Sequence, residues 1–158
     1  MITVPTQYST DIKTLIITSD AFTDRNYIPT KYTCDGENIN PPLKIEHIPY
    51  EAKSLVLIVE DVDTPEKTWV HWLVWNITPS GKIKENTVPG IEGISDFRHH
   101  HYSGPCPPVG THHYYFKVYA LDDLLNLNST ITKTELEKVM SNHIIGYGQL
   151  VGTYKRVL

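Results

Sequence analysis

The chain of 158 residues is 40% hydrophobic and 20% charged, and it carries a formal net charge of -4 with a pI near 6.0. These values are typical of one globular domain, so we expect a single domain over residues 1–158. The acidic balance gives no electrostatic reason to expect a nucleic acid partner, and no run reaches the ~18 apolar residues of a membrane span. Residues 1–13 lack the apolar core of a signal peptide, so we expect a cytoplasmic protein.

The first half of the chain predicts strands separated by turn-rich segments. Residues 15–18 form a short apolar run, and residues 54–60 and 69–77 form two long ones, which are typical of strands covered on both faces. Residues 26–42 are rich in Thr, Asn, Asp, Gly and Pro and predict a long loop. Strict alternation in the second long strand would place four side chains on one face and three on the other, namely Trp69, His71, Leu73 and Trp75 against Val70, Trp72 and Val74.

A stiff loop precedes the most aromatic segment of the chain. Pro105, Pro107 and Pro108 each fix the backbone φ angle and remove a hydrogen-bond donor, so this loop should be rigid. Residues 114–121 are rich in aromatic and apolar side chains and predict a strand. His112 and Tyr114 fall on one face of the strand, because successive side chains alternate. A rigid loop that leads into a histidine and a tyrosine on one face predicts a small polar pocket.

Only one helix is predicted. Residues 132–135 have the Thr-Lys-Thr-Glu sequence of a capping box, and apolar residues then follow at helical spacing. We expect a helix over about residues 133–144 with Gly146 as its stop, followed by a last strand at residues 150–157. Short strands, Gly/Pro turns and one late helix predict a mainly β fold: an antiparallel β-sandwich with one helix in the C-terminal region and long, pocket-forming loops.

The two cysteines are Cys34 and Cys106. Thiols stay reduced in a cytoplasmic compartment, so we expect both cysteines to be free. A catalytic thiol is not expected, because Cys106 lies between prolines and no base is placed beside it in the sequence.

Five polar residues lie in or directly beside the predicted strands, namely Asp61, Asp63, His71, His112 and Tyr114. A histidine inside a wholly apolar strand, as at position 71, needs a hydrogen-bond partner, because an unpaired buried polar group is costly. The carboxylate of Asp61, at the end of a neighbouring strand, is the partner that we expect. An imidazolium, a phenol hydroxyl and N–H groups of the loop would together favour a small anion.

Four motifs follow one another along the chain: Y-T-C-D-G-E-N at 32–38 with P-P-L at 41–43, D-V-D-T-P at 61–65 with W-V-H-W-L-V-W-N-I at 69–77, G-P-C-P-P-V-G-T-H-H-Y at 104–114 with Y-A-L-D at 119–122, and L-V-G-T-Y-K-R at 150–156. In this order they resemble the phosphatidylethanolamine-binding protein family, which includes the Raf kinase inhibitor proteins. The first and last motifs are similar to those of its short bacterial and archaeal branch.

The resemblance implies a pocket that accepts phosphate-like groups such as phosphoethanolamine, and we expect no cofactor. The positions that match the family's pocket are Asp61, His71, Gly104, Pro105, His112 and Tyr114, with Asp63 and Trp69 beside them. The resemblance further implies a regulatory or inhibitory role toward a protein partner, either a kinase or a serine protease. It also implies a homodimer, to which the ten tyrosines could contribute aromatic contacts.

Two positions depart from the usual pattern of the family. Val62 stands where the family often has a proline between the two aspartates, which loosens the turn. His113 stands where an arginine usually follows the motif histidine, which weakens any anion or partner contact that the arginine would make.

Two other functions remain as alternatives. Five histidines lie between residues 99 and 113 and could bind a metal, but adjacent histidines of an extended segment point to opposite faces and no zinc-site spacing occurs. A hydrolase could use Asp61, His71 and His112 as acid and base, but no motif places a nucleophile beside them. We therefore expect neither a metal site nor an enzyme.

Overall fold

The computed structural model describes residues 11–157. Its strands, in chain order, are β1 (Lys13–Thr14), β2 (Ile16–Thr18), β3 (Leu43–Glu46), β4 (Ser54–Asp61), β5 (Trp69–Ile77), β6 (Lys82–Ile83), β7 (Ile91–Glu92), β8 (His112–Leu121) and β9 (Ile144–Tyr154). One α-helix, α1 (Lys133–Met140), precedes β9. The larger sheet has the strand order β1-β9-β8-β4-β5-β7 and the smaller sheet has the order β2-β3-β6. All pairs are antiparallel except β1 with β9. No helix in the described part of the chain is long and apolar enough to cross a membrane.

The larger sheet is covered on both faces. One face packs against the smaller sheet, where Leu57 and Phe116 meet Ile17 and Ile45 in one buried cluster. The opposite face packs beneath α1 in a second cluster, with buried side chains that include Val56, Ile58, Leu73, Leu136 and Met140. This arrangement confirms the predicted mainly β sandwich with one helix, and it explains why β4 is apolar on both faces.

The predicted alternation of β5 is wrong, because the strand contains two irregularities. Val59 of β4 pairs with Trp72 while the next residue, Glu60, pairs with Val70, so His71 is an extra residue on β5. A second irregularity lies opposite residues 55–57. The layer beneath α1 therefore receives Val70, Leu73 and Trp75 of β5, and the layer between the sheets receives Trp72, Val74 and Ile77. Bulges of this kind re-aim a side chain, and here the side chain is that of His71.

The capping box at Thr132 and Glu135 is confirmed. The helix ends at Met140 rather than near residue 144, and β9 begins at Ile144 rather than at residue 150.

Gly146 is not a helix stop but a strand residue that pairs with Ala120 of β8. Nearby, a Cβ at Gly148 would lie 2.3 Å from the carbonyl oxygen of Leu15. The glycines of β9 thus allow the chain next to β1 to approach closely. This packing depends on the tertiary structure, so the local sequence pattern could not predict it.

The expectation of free thiols is also wrong, because Cys34 and Cys106 form a disulfide. The expectation of reduced thiols came from the cellular compartment alone. It took no account of the fold, which packs the long loop of residues 26–42 against the proline-rich loop. The backbone N–H of Cys34 donates to the carbonyl of Pro105 at 3.1 Å, and the N–H of Gly104 donates to Oδ1 of Asn38 at 2.7 Å. The disulfide therefore joins two loops that already contact each other.

A buried carboxylate connects α1 to the sheet. The side chain of Glu60 is 2% exposed, and its oxygens lie 2.5 Å from Nζ of Lys117 on β8 and 2.6 Å from Nζ of Lys133 on α1. Burial by itself would raise the pKa of Glu60, but the hydrogen bonds from the two lysines outweigh burial and hold this pKa below its ordinary value of 4.5. This pair of contacts makes the docking of α1 dependent on pH.

Glu60→Gln should lower the free energy of unfolding at pH 7 by about 2 kcal/mol, because the lysines lose a charged acceptor. A carboxyl whose pKa is lowered on folding stabilises the protein above its unfolded pKa, and this contribution disappears as the pH falls. The wild type should therefore lose stability below about pH 4.5 more steeply than the variant in denaturant titrations. Glu137→Gln, at a half-exposed neighbour of Lys133, is the matched control. Equal acid dependence of Glu60→Gln and wild type would contradict this account.

Candidate ligand-binding site

Four of the predicted site residues meet at one end of the larger sheet. Asp61, the last residue of β4, pairs with Trp69 of β5 on one side and with Tyr114 of β8 on the other. The ring of Tyr114 lies 5.4 Å from the ring of His71 and 6.5 Å from that of His112, measured between ring centroids. All of these residues except Trp69 are buried. The sheet register thus brings Asp61, His71, His112 and Tyr114 into one cluster.

Both histidines are held through Nδ1. Nδ1 of His71 lies 2.6 Å from the backbone carbonyl of Ser103, and Nδ1 of His112 lies 2.6 Å from Oδ2 of Asp61. A carbonyl oxygen can only accept, so the proton of a neutral His71 ring is on Nδ1 and its Nε2 carries a lone pair. The expected direct pairing of Asp61 with His71 is therefore wrong. Asp61 binds His112, and Ser103 binds His71.

The charge state of the cluster follows from burial. Burial lowers the pKa of His71 below its ordinary value of 6.5, against the opposing effects of the Ser103 hydrogen bond and the charge of Asp61. His71 is therefore neutral at pH 7. Burial, together with the charge of Asp61, raises the pKa of the Tyr114 hydroxyl, which stays protonated. At neutral pH the cluster offers an O–H donor beside an imidazole acceptor.

The hydroxyl of Tyr114 is buried without a hydrogen-bond partner. The residue is 0% exposed, and no described group meets the distance and angle limits of a hydrogen bond to its oxygen, although the carboxylate of Asp61 and the backbone of Cys106 lie near enough to influence the pKa of the hydroxyl. A buried polar group in this state costs about 1–3 kcal/mol, so it calls for an explanation such as a ligand. Within residues 11–157 the other buried side-chain atom without a partner is Nε1 of Trp75, which lies in the apolar layer beneath α1.

The proline-rich loop supports the cluster through its backbone. The N–H of Gly104, expected to face an anion, instead donates to Asn38, and a Cβ at Gly104 would lie 2.3 Å from the carbonyl oxygen of Tyr32. The carbonyl of Pro105 is used by Cys34. Gly104 and Pro105 thus fix the loop that presents the carbonyl of Ser103. Sequence reasoning missed Ser103, because a backbone carbonyl gives no sequence signal, and Asn38, because its contact with Gly104 joins residues 66 positions apart.

Asp63 and Trp69 border the cluster. The N–H of Asp63 donates to Oδ1 of Asp61, while its carboxylate accepts from the N–H and Nδ1 of His113, both at 2.7 Å. Asp63 therefore orients Asp61 and His113. Trp69 packs edge-on against Phe97, whose ring also contacts His71 at 4.9 Å. Phe97 is a second residue that the sequence did not single out.

The histidine run extends outward from the same place. The rings of His99 and His101 stack at 4.4 Å, and Nδ1 of His99 lies 3.0 Å from Oγ of Ser103. Ser103 therefore contacts His71 through its carbonyl and His99 through its hydroxyl. Across residues 11–157, no group of three or more His, Cys, Asp or Glu side chains is arranged to hold a metal ion.

Asp61→Asn should lower the pKa of His71 further, because it removes the charge that favours the imidazolium. Asp63→Asn should change this pKa less, because the Asp63 carboxylate is engaged by His113. NMR titration of the His71 ring in both variants measures the difference. Equal shifts in the two variants would show that Asp61 has no particular influence on His71.

Comparisons with known proteins agree with this fold. The model of a family described as phosphatidylethanolamine-binding protein matches residues 18–155. The chain belongs to this family. Among its relatives, a UPF0098 protein of Pyrococcus horikoshii is 49% identical over 149 residues, covering 87% of this chain and 75% of the relative. A UPF0098 protein of Pyrococcus abyssi is 48% identical over 153 residues, covering 90% and 86%.

Solved structures of the family share the whole architecture. A phosphatidylethanolamine-binding protein homologue of Chlamydia trachomatis superposes with a TM-score of 0.88 at 40% identity, covering 92% of this chain and 99% of the other. YbcL of Escherichia coli, described as a member of the mammalian family, superposes with a TM-score of 0.83 at 25% identity, covering 90% and 99%. The resemblance inferred from the four motifs is confirmed.

Proposed function

We propose that the protein binds a small anion with a phosphate group, such as phosphate or phosphoethanolamine, at the cluster of Asp61, His71, His112 and Tyr114. The observation that carries the proposal is the buried Tyr114 hydroxyl, which has a hydrogen to donate and no protein acceptor of good geometry. The ring of Tyr114 is a neighbour of the His71 and His112 rings, whose Nδ1 atoms are already hydrogen-bonded. Membership of a family named for binding a phosphate-containing lipid supports the same chemistry.

The donors and acceptors of the cluster favour an oxyanion that keeps a proton. Tyr114 can donate to one oxygen of the ligand, whereas the neutral His71 ring has only a lone pair at Nε2. A phosphate that retains a hydrogen can accept from Tyr114 and donate to this nitrogen. A fully ionised oxyanion would first require protonation of His71, which burial opposes. The cluster should therefore prefer hydrogen phosphate or a singly ionised phosphate ester.

Tyr114→Phe and His112→Ala should each weaken phosphate binding by about 1–3 kcal/mol, the range for hydrogen bonds to charged groups. Tyr114→Phe should at the same time raise the free energy of unfolding by about 1 kcal/mol, because it removes an unsatisfied hydroxyl. Calorimetry gives the affinities, and denaturant unfolding gives the stabilities. Tyr119→Phe, at a partly buried tyrosine farther along β8, is the matched control. Unchanged affinity in both site variants would refute the assignment.

We also propose that the protein regulates or inhibits a protein partner, a kinase or a serine protease. The support is the geometry of the loop, whose tip carries Val109 at 81% exposure between the disulfide and the cluster. An inhibitor needs such an exposed loop, whereas a simple binding module needs only the pocket. Inhibition assays with wild type and Val109→Asp distinguish the two functions. If the protein is an inhibitor, Val109→Asp should inhibit its target less strongly than the wild type does. If it is only a ligand-binding module, neither protein should inhibit a kinase or a serine protease.

A homodimer is the assembly that we propose. The exposed aromatic side chains of Tyr27 and Tyr50 support it, because tyrosines are enriched in protein interfaces. Light scattering at tens of micromolar should give twice the monomer mass of 18.0 kDa. A monomeric mass would count against the dimer.

A further inference from the structure

The disulfide lies directly beside the ligand-binding cluster. Cys106 follows Ser103, the residue that holds His71, by three positions, and its bond to Cys34 fixes the loop against the segment of residues 30–38. Both cysteines are half-buried, so a small reductant can reach them. In this disulfide-bonded form the cluster is nearly closed to solvent, with His71 3% exposed and Tyr114 0% exposed.

The segment held by the disulfide lies beside the buried Tyr114. The backbone of Cys106 is close enough to this hydroxyl to oppose the rise of its pKa that burial causes. The flanking residues Pro105 and Pro107 are buried, whereas residues 108–111 are exposed. Cys106 is thus the last residue that a covalent bond ties to the opposing loop, and the exposed tip that leads into β8 begins after the buried Pro107.

The other contacts between the two loops lie on one side of the disulfide. Tyr102 donates its hydroxyl to the carbonyl of Tyr32 at 2.7 Å, and Gly104 donates its N–H to Asn38. The described structure contains no hydrogen bond between residues 107–111 and residues 30–38. Breaking the disulfide should therefore leave Ser103 in place and free the segment from Cys106 to the loop tip.

We propose that the Cys34–Cys106 disulfide is a redox latch over the cluster, and that its reduction by a dithiol opens the cluster to solvent and ligand. One thiolate of the dithiol attacks a sulfur of the latch and forms a mixed disulfide, and the other sulfur leaves as a thiolate. The second thiolate of the dithiol then attacks the dithiol sulfur of this mixed disulfide, the remaining bond to the protein breaks, and the second cysteine sulfur leaves as a thiolate. The protein gains two electrons and two protons as two thiols, and the dithiol is oxidised to a disulfide. Only the consequence for ligand binding rests on the function proposed above.

Acylation of histidine by diethyl pyrocarbonate tests the latch without any ligand. Mass spectrometry should show His71 and His112 reacting about tenfold or more faster in the reduced wild type than in the oxidised one, as expected for a local opening. Cys34→Ser/Cys106→Ser should react at the fast rate with or without reductant. His143, at the opposite end of β8 and paired with Asp122, is the internal control and should react equally in all forms.

Equal acylation rates in the oxidised and reduced wild type would overturn the latch. Hydrogen exchange of β4 and β8 should stay slow in the reduced protein, because the opening is confined to the loop. Loss of this protection would show that the disulfide holds the whole fold, which also overturns the proposal. Absence of phosphate binding in every redox form would refute the proposed function and leave the acylation result for the latch standing.

Discussion

Replacement of Cys34 and Cys106 together by serine is expected to lower the free energy of unfolding by about 4 kcal/mol. The two cysteines are 72 positions apart, and a cross-link over such a long loop strongly restricts the unfolded chain. Denaturant unfolding of the oxidised wild type and of the double variant measures the difference. Domains of this kind have a total stability of about 5–15 kcal/mol, so we expect the variant to remain folded at 25 °C.

The reduced wild type is the control for this prediction. It should unfold at the same denaturant concentration as the double variant, because both lack the same cross-link. Reductant should have no effect on the double variant. A difference below about 1 kcal/mol between oxidised wild type and variant would show that the two loops are held together as well without the bond.

The strands and the helix start could be predicted because local patterns determine them. The apolar runs of β4 and β5 predicted strands covered on both faces, and the Thr132–Glu135 pair predicted the capping box, which the structure shows. The end of α1 could not be predicted, because Gly146 and Gly148 serve close packing beside β1 rather than helix termination. Judged from the sequence alone, a glycine at either position could end a helix or allow close packing of two strands.

The membership of the cluster could be predicted, but its internal pairing could not. The motifs indicated Asp61, His71, His112 and Tyr114 together, and the sheet register brings these four side chains close to one another. The bulge at His71 turns this ring toward Ser103, and Asp61 is then engaged by His112. A bulge depends on the register of two strands, which neither strand encodes alone.

Phosphate should bind at pH 7 about tenfold or more tightly than sulfate, a preference that the protonation of the cluster predicts. Inorganic phosphate loses its second proton near neutrality, whereas sulfate carries no proton. His71 is neutral at this pH because burial lowers its pKa, so only phosphate can supply the hydrogen between ligand and ring. The affinity for phosphate should then fall about tenfold for each pH unit on the alkaline side, since one proton is lost.

Calorimetric titrations of the reduced protein with both anions from pH 5.5 to 8.5 measure this preference. Sulfate affinity should rise as the pH falls toward the lowered pKa of His71. His71→Gln, which keeps a polar side chain but cannot titrate, should abolish the rise of sulfate affinity at acidic pH. Equal affinities for sulfate and phosphate at pH 7 would show that the ligand does not share a proton with His71.

NMR of the reduced protein with 15N-labelled histidine rings, titrated with inorganic phosphate at pH 6.5, tests most directly whether this cluster binds the ligand. We expect saturable shifts of Nε2 in His71 and His112, with Nδ1 of each ring retaining its proton toward Ser103 and Asp61. The ring of His143, paired with Asp122 at the other end of β8, should not respond. Saturating phosphate that leaves both site rings unchanged, or that shifts His143 equally, would contradict the assignment of this cluster as the ligand-binding site.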